Sequence, residues 1–396
     1  MLGHGHRLRT TLGRVPEPFV LQCAYHAAGR CRSCTLLGTP YDRQLADKQA
    51  RAEAALAGHP VEWAAPFASR PAAFRNKAKL VAGGTRARPT LGILDGRQHG
   101  VDLSGCGLYE AGLDEVVGSL TDVVGDLGLV PYAVPARSGE LKHVLVTHSP
   151  DGELMLRFVL RSHGQVGRIR RQLPDLVATY PGARVVSVNI QPAHAAVLEG
   201  PEEIVLTGDQ ELTMRVNGVP LRLRPRSFFQ TNTAVAAGLY RQARSWVDEV
   251  DPASLWDLYC GVGGFALHAA LRPDGTAREV LGIESSADAV DSARATASAL
   301  GLAVRFRAAD ATGSLAHGDG PEMVVVNPPR RGIGPDLARR IEASGAGHVL
   351  YSSCNVASLA RDIAAMPGFV PVRARVFDMF PQTEHLEVLT LLRRLP

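Results

Sequence analysis

From Thr231 to the C-terminus the chain alternates helix-like and strand-like patterns, at a spacing that leaves few architectures open. A helix over 233–250 leads to strands at 254–259 and 279–283, a helix at 287–300, strands at 303–308 and 323–327, a helix at 335–344, a strand at 348–352, a helix at 356–366, and closing strands at 370–377 and 386–392. That rhythm builds crossover units, so residues 227–396 are expected to form a mostly parallel, doubly wound α/β sheet of Rossmann-like type. Sheets of this kind gather ligands outside the carboxyl ends of their strands.

Two segments put chemistry at those ends. The stretch WDLYCGVGGF, residues 256–265, reads as a strand, a glycine-rich turn and a helix start, with Gly261, Gly263 and Gly264 allowing a sharp turn and close approach to a ligand. Glu284 ends the next strand, where an acid can accept both ribose hydroxyls of a nucleoside cofactor. Asp310 ends the third strand, in position to contact an adenine, and Asn327 opens an Asn-Pro-Pro-Arg turn after the fourth. The series suits S-adenosylmethionine better than NAD, which calls for a G-x-G-x-x-G loop.

The second segment is YSSCN, residues 351–355, which places Cys354 at a strand end. An Asn-Pro-Pro turn also serves methylation of exocyclic nitrogens, usually with an aromatic residue next, but here Arg330 and Arg331 follow. A thiolate nearby points to different chemistry. C5 of uracil is a poor nucleophile until a thiolate adds at C6, and release then requires a base to take the C5 proton. The segment DMFPQTEHLE, residues 378–387, supplies carboxylates and an imidazole between the last two strands.

The remaining residues divide into an irregular basic extension over 1–22, a cysteine-rich segment over 23–62, and a region over 63–226 whose short strand-like runs suggest a mainly antiparallel α+β domain. Those runs fall at 80–81, 91–94, 143–147, 154–160, 184–190, 203–206 and 221–223. No apolar stretch is long enough for a membrane helix and no signal peptide is evident, so a cytoplasmic protein is expected. In a reducing compartment cysteines are not expected to pair as disulfides. Cys23, Cys31 and Cys34 form C-x7-C-x2-C, and the small-residue turn around Cys106 could bring a fourth thiolate to the same point. Four thiolates suit zinc or an iron–sulfur cluster; the single C-x2-C pair tilts toward a cluster, and spacing leaves both open.

With a formal charge of +4 the chain permits a polyanionic partner without demanding one. Arg75, Lys77 and Lys79, and again Arg222, Arg224 and Arg226, alternate as if projecting from one strand face toward phosphates. Phe228 and Phe229 read as packing residues, and the histidines, including His4 and His6 near the N-terminus, form no second metal motif.

Taken together, LQCAYHAAGRCRSC, FRNKAK, VNIQP, RPRSFFQTN, WDLYCGVGGF, NPPRRGIG, YSSCN and DMFPQTEHLEVLTLL resemble the RNA uracil-5-methyltransferases, most closely the branch acting on uracil 747 of 23S rRNA, from Leu21 to about Leu392. The resemblance implies a methyltransferase that uses S-adenosylmethionine, with Cys354 as nucleophile and Glu387 as the proton-abstracting base. It implies that Gln230, Tyr259, Glu284 and Asn327 contact the donor, beside Gly261, Gly263 and Asp310, and that Cys23, Cys31, Cys34 and Cys106 hold a [4Fe–4S] cluster. The partner is then 23S rRNA, bound partly by the central domain, and the protein acts as a monomer without an obligate protein partner. Many relatives carry Asp at the position of Asn327. Some begin with a small RNA-binding barrel, for which the 22 residues before Cys23 are too few. Methylation of tRNA is the enzymatic alternative, and a non-catalytic iron–sulfur RNA-binding or redox-sensing protein the other.

Overall fold

The computed structural model describes residues 19–315 and 320–396. All but the last four positions of the extension expected over 1–22 lie outside the described residues, as do His4 and His6. Among the described residues no helix is long and apolar enough to cross a membrane.

The C-terminal half is an eight-stranded sheet with the spatial order Glu62–Phe67, Phe369–Phe377, Glu387–Arg394, His348–Ser353, Met323–Val326, Ser254–Leu258, Glu279–Glu284, Arg305–Ala308. Glu387–Arg394 runs antiparallel to both of its neighbours, and every other pairing is parallel. The doubly wound sheet anticipated from the strand and helix rhythm is therefore what forms. Helices Thr233–Val250, Ala287–Ala299, Gly334–Ala343 and Val356–Ala364 lie close to their expected bounds. Three of them begin on side-chain caps: Asn232 accepts from Val235 N at 3.3 Å, Ser286 from Ala289 N at 3.4 Å and Asn355 from Ala357 N at 3.0 Å. The last cap is the residue after Cys354, so the turn carrying the cysteine is pinned by the start of the following helix.

The central domain is a seven-stranded sheet, with only Leu154–Leu160 and Ala183–Ile190 paired in parallel. Helices Leu113–Asp126, Val166–Arg171 and Leu173–Thr179 cover one face, burying Leu113, Leu120, Ile169 and Leu176 against Leu80, Phe158 and Val186. This is the expected α+β domain.

Its limits differ from those read in the sequence. Glu62–Phe67 belongs to the catalytic sheet as an edge strand, with Phe67 stacked on Phe377 at 5.5 Å between ring centres. Pro66, which argues against a central strand, is tolerated at an edge. At the other end, Leu212–Val216 and Val219–Leu223 form a hairpin through Asn217 and Gly218, both at positive φ. Leu212, Met214, Val216, Leu221 and Leu223 are buried with Leu255, Phe265 and Val280 of the catalytic half. Residues 63–67 thus join the catalytic sheet, and the hairpin over 212–223 is buried mainly with catalytic-half residues in a cluster that also takes in Met155 and Val185 of the central domain.

Candidate active site

The strand Ser254–Leu258 runs into Tyr259 at φ +65°, Gly261 at +53° and Gly263 at +88°, a left-handed sequence that turns the chain sharply back into helix Gly264–His268. Gly264 is required for a separate reason: a Cβ there would lie 2.4 Å from the Tyr240 hydroxyl. On the side of Gly261 the space is open. Glu284, at the end of the neighbouring strand, accepts from Gly261 N at 3.2 Å, Ser285 Oγ at 2.9 Å and Ser286 N at 2.9 Å. The two strand ends therefore converge on one carboxylate beside an open glycine turn.

The other residues expected at the donor site occupy varied settings. Tyr259 is half-buried, its phenol pushed up by burial and then by the charges of Asp310 and Glu284, with Arg331 opposing. Asp310 is exposed and caps a single helical turn by accepting from Gly313 N at 3.0 Å. Asn327 is half-buried just past Met323–Val326. Gln230 is buried, and its main-chain oxygen accepts from Asn76 Nδ2 at 2.9 Å.

Asp257 is a residue that sequence reasoning missed. It is fully buried, accepts from Ala266 N at 2.9 Å through Oδ2, and leaves Oδ1 with no partner beneath the glycine turn. Burial, with Glu284 adding, pushes its carboxyl up to about 7. The available signal was a lone acid inside an apolar strand run, Trp256-Asp257-Leu258. Cys260 is buried and its thiol is driven well up by burial, which makes it an inert packing group.

Cys354 and Glu387 come together at the ends of adjacent strands, although 33 positions apart in sequence. Ser353 is register partner to Val388 in the antiparallel pair, so the next residue on one side and the previous residue on the other share one sheet edge. Glu387 is 2% exposed and accepts from Ser352 Oγ at 2.5 Å. Burial pushes its carboxyl up to about 7, with the serine hydrogen bond pulling the other way. The Cys354 thiol is half-buried and raised by burial and then by the charge of Glu387, while Arg330 favours the thiolate.

Arg330 sits in the Asn-Pro-Pro-Arg turn, whose shape is set from elsewhere. Asn355 Nδ2 donates to Arg330 O at 3.0 Å, and the buried Asp362 accepts from Ile333 N at 2.8 Å and from Tyr351 OH at 2.7 Å. Arg330 Nη2 also lies 3.3 Å from His385 Nε2. A cation, a thiol and a buried carboxyl thus come together, the cation favouring the ionised thiol and the carboxyl held near neutrality.

Cys23, Cys31, Cys34 and Cys106 line one cavity of about 470 Å³, all half-buried and free. Tyr25 OH accepts from Gly105 N at 3.0 Å, which draws the Cys106 turn to the first cysteine segment. Burial and then the neighbouring thiols push Cys34 up to about 11, and burial also raises Cys106. Among the described residues no three Cys, His, Asp or Glu side chains close into a metal-ligating group.

Of the two basic trios expected to project from one strand face, the first does so, alternating with the buried Asn76 and Ala78, and the second does not. Arg75, Lys77 and Lys79 form a wall of the cysteine cavity, and burial, then Lys79 and Arg157, push Lys77 down to about 8. Arg222 and Arg224 pair with Glu211, Arg224 also pairs with Asp288, and Arg226 donates to Pro201 O. Only Arg222 lies within the strand, which ends at Leu223, so the alternation in sequence does not continue as one face. Phe229 packs as expected, but Phe228 is 73% exposed and is not a packing residue.

A family model described as tRNA (Uracil-5-)-methyltransferase matches residues 320–395, and one described as methyltransferase small domain matches residues 246–349. The chain is 49% identical over 380 residues, 94% of its length and 100% of the relative's, to the 23S rRNA (uracil(747)-C(5))-methyltransferase RlmC of Halothiobacillus neapolitanus. It is 50% identical over 376 residues, 94% of its length and 99% of the relative's, to the protein of the same name from Yersinia pseudotuberculosis. Among solved structures, the Pyrococcus abyssi tRNA (uracil-54, C5)-methyltransferase in complex with S-adenosyl-L-homocysteine superposes with a TM-score of 0.75 at 25% identity, covering 91% of this chain and 85% of the other.

Proposed function

The chain belongs to the 23S rRNA (uracil(747)-C(5))-methyltransferase family, and from that premise we propose that it transfers a methyl group from S-adenosylmethionine to C5 of uridine 747 through a covalent bond between Cys354 and C6. The observation that carries the covalent route is the meeting of Cys354, Arg330 and the buried Glu387 at one sheet edge. The donor fits the turn over Gly261 and Gly263, with Glu284 for the ribose hydroxyls, Asp310 for the adenine, and Gln230, Tyr259 and Asn327 around the amino acid and methyl end. The open space at Gly261 and the unpartnered Asp257 oxygen below it support that placement. When bound, the donor supplies an electrophilic sulfonium methyl.

The steps then follow from the residues. Extrusion of the target base from its stack exposes C6 to the Cys354 thiolate. The sulfur forms a bond to C6, and the C5–C6 π electrons move onto the C4 carbonyl, so that C5 becomes nucleophilic. C5 takes the methyl group as the donor departs as its thioether. Glu387 removes the C5 proton, the electron pair restores the double bond, and the thiolate is expelled. A carboxyl titrating near neutrality suits that task, and Ser352 holds it in place.

We extend the proposal to a [4Fe–4S] cluster held by Cys23, Cys31, Cys34 and Cys106. Four half-buried thiols line one cavity, and burial with the charges of Cys106, Cys31 and Cys23 raises Cys34, so a bound cation would let them ionise together near neutrality, which supports that donor set. The cluster would act as a cross-link, since methyl transfer moves no electron from the protein. Anaerobic purification should give a brown protein with matching iron and sulfide; a colourless protein with one zinc refutes the cluster.

Incubation with labelled donor and either a transcript of 23S rRNA or unmodified tRNA tests the activity. 5-Methyluridine at position 747 of the rRNA alone is the expected outcome, methylation at a nitrogen refutes the chemistry, and methylation of tRNA alone refutes the substrate.

A further inference from the structure

Helix Tyr41–Ala55 carries two polar side chains one turn apart, Gln44 and Lys48, each 1% exposed. Both face residues 378–386, the connection that joins register partners Phe377 and Glu387. Lys48 Nζ donates to Asp378 Oδ1 at 2.6 Å and to Phe380 O at 3.1 Å. Gln44 Nε2 donates to Thr39 O at 2.8 Å and to Gln382 Oε1 at 3.0 Å, and its Oε1 accepts from Gln382 N at 3.0 Å. Gln382 in turn accepts from Leu36 N at 3.0 Å, two residues beyond Cys34, and donates through Nε2 to Pro71 O at 3.0 Å.

This ring of bonds closes on a residue in an unusual state. Gln382 has φ +67°, a left-handed conformation that disfavours any residue with a side chain and persists only where surroundings over-determine it. The turn it imposes directs the next residues toward the reacting groups. His385 meets Arg330, its N donates to Thr383 Oγ1 at 3.3 Å, and Glu387 begins the final strand.

We propose that Gln44 is a positioning residue for the reaction: its two-way bond with Gln382 fixes the left-handed turn that sets His385 against Arg330 and delivers Glu387 to the C5 proton. The proposal rests on the reading of Glu387 as the base. Phe380 and Thr383 of the same connection line the cysteine cavity, so the helix joins the cysteine segment to the catalytic edge by direct contact.

A merely structural Gln44 would lower stability and donor binding along with turnover. A positioning Gln44 affects chiefly the elimination step. Gln44→Leu removes the bonds, and Gln44→Met removes them with a side chain of nearly the same length, so it keeps the test open if the first variant does not fold. With the full chain, binding of S-adenosylhomocysteine should stay within about twofold, turnover on an rRNA hairpin should fall roughly tenfold to hundredfold, and a protein–RNA adduct should accumulate on denaturing gels as in Glu387→Gln. Wild-type turnover, or donor affinity lost in proportion to turnover, overturns the proposal. An adduct with Glu387→Gln but with neither of the other variants overturns it alone. No adduct with Glu387→Gln overturns the base assignment and this proposal with it.

Discussion

Ser352 and Glu387 stand on adjacent antiparallel strands, and the serine hydroxyl donates to the carboxylate at 2.5 Å with both side chains shut away from water. The bond favours the ionised carboxylate against burial, which pushes the group up to about 7. Release of methylated RNA from the covalent adduct, the step assigned to Glu387, should therefore speed up as pH climbs through about 7 and slow below it as the carboxylate is protonated. Ser352→Ala removes the stabilising donor and should move the rise to higher pH. A pH profile that stays in place would mean that Ser352 does not tune the base.

The same buried carboxylate carries a stability penalty whose sign can be checked. In the unfolded chain a glutamate ionises near pH 4, while Glu387 in the fold titrates near 7. As pH rises between these values the unfolded state loses its proton first and is favoured; above the folded value the penalty is fully present. Glu387→Gln keeps the serine bond without the charge, so it should be more stable than the parent by on the order of 3 kcal/mol above neutrality, with the difference vanishing at acid pH. Thermal melting of both proteins across that range measures it.

On the proposed route Cys354 supplies the bond to RNA, so Cys354→Ala should lose methyl transfer and every trace of adduct while binding S-adenosylhomocysteine as before. Normal turnover in that variant would remove Cys354 from the mechanism.

Arg330 is the charge that opposes burial at Cys354. Arg330→Met should raise the pH at which the thiol becomes alkylated by iodoacetamide, and should slow adduct formation more than donor binding. An unaltered alkylation profile would show that Arg330 does not stabilise the thiolate.

Phe228 exposes an aromatic face beside a basic segment, where packing gives it no reason to be. If it stacks on an RNA base, Phe228→Ala should weaken rRNA binding by about 1–3 kcal/mol and leave donor binding unchanged. Equal RNA affinity in titrations of the two proteins would count against that contact.

The parallel sheet was legible because each crossover unit leaves its own periodicity in the chain, and Gly261, Glu284 and Cys354 could be placed at strand ends by counting along it. The misplaced boundaries have one cause. Glu62–Phe67 and the hairpin at Asn217-Gly218 are strands in pattern, but which sheet or core receives them depends on partners hundreds of residues away or on another layer. The second basic trio failed similarly: alternation marks one face of a strand, and says nothing of whether the strand continues or Glu211 lies opposite.

The sequence by itself determined the order of elements, the glycine turn after its strand, the cysteine at a strand end and the spacing of the cysteine set, because local periodicity and residue chemistry are properties of neighbouring positions. Only tertiary structure decided the electrostatics of the site. The neutral range of Glu387, the opposition of Arg330 and Glu387 at Cys354, and the hold of Gln44 on Gln382 arise from burial and from contacts between distant segments, which no local pattern encodes.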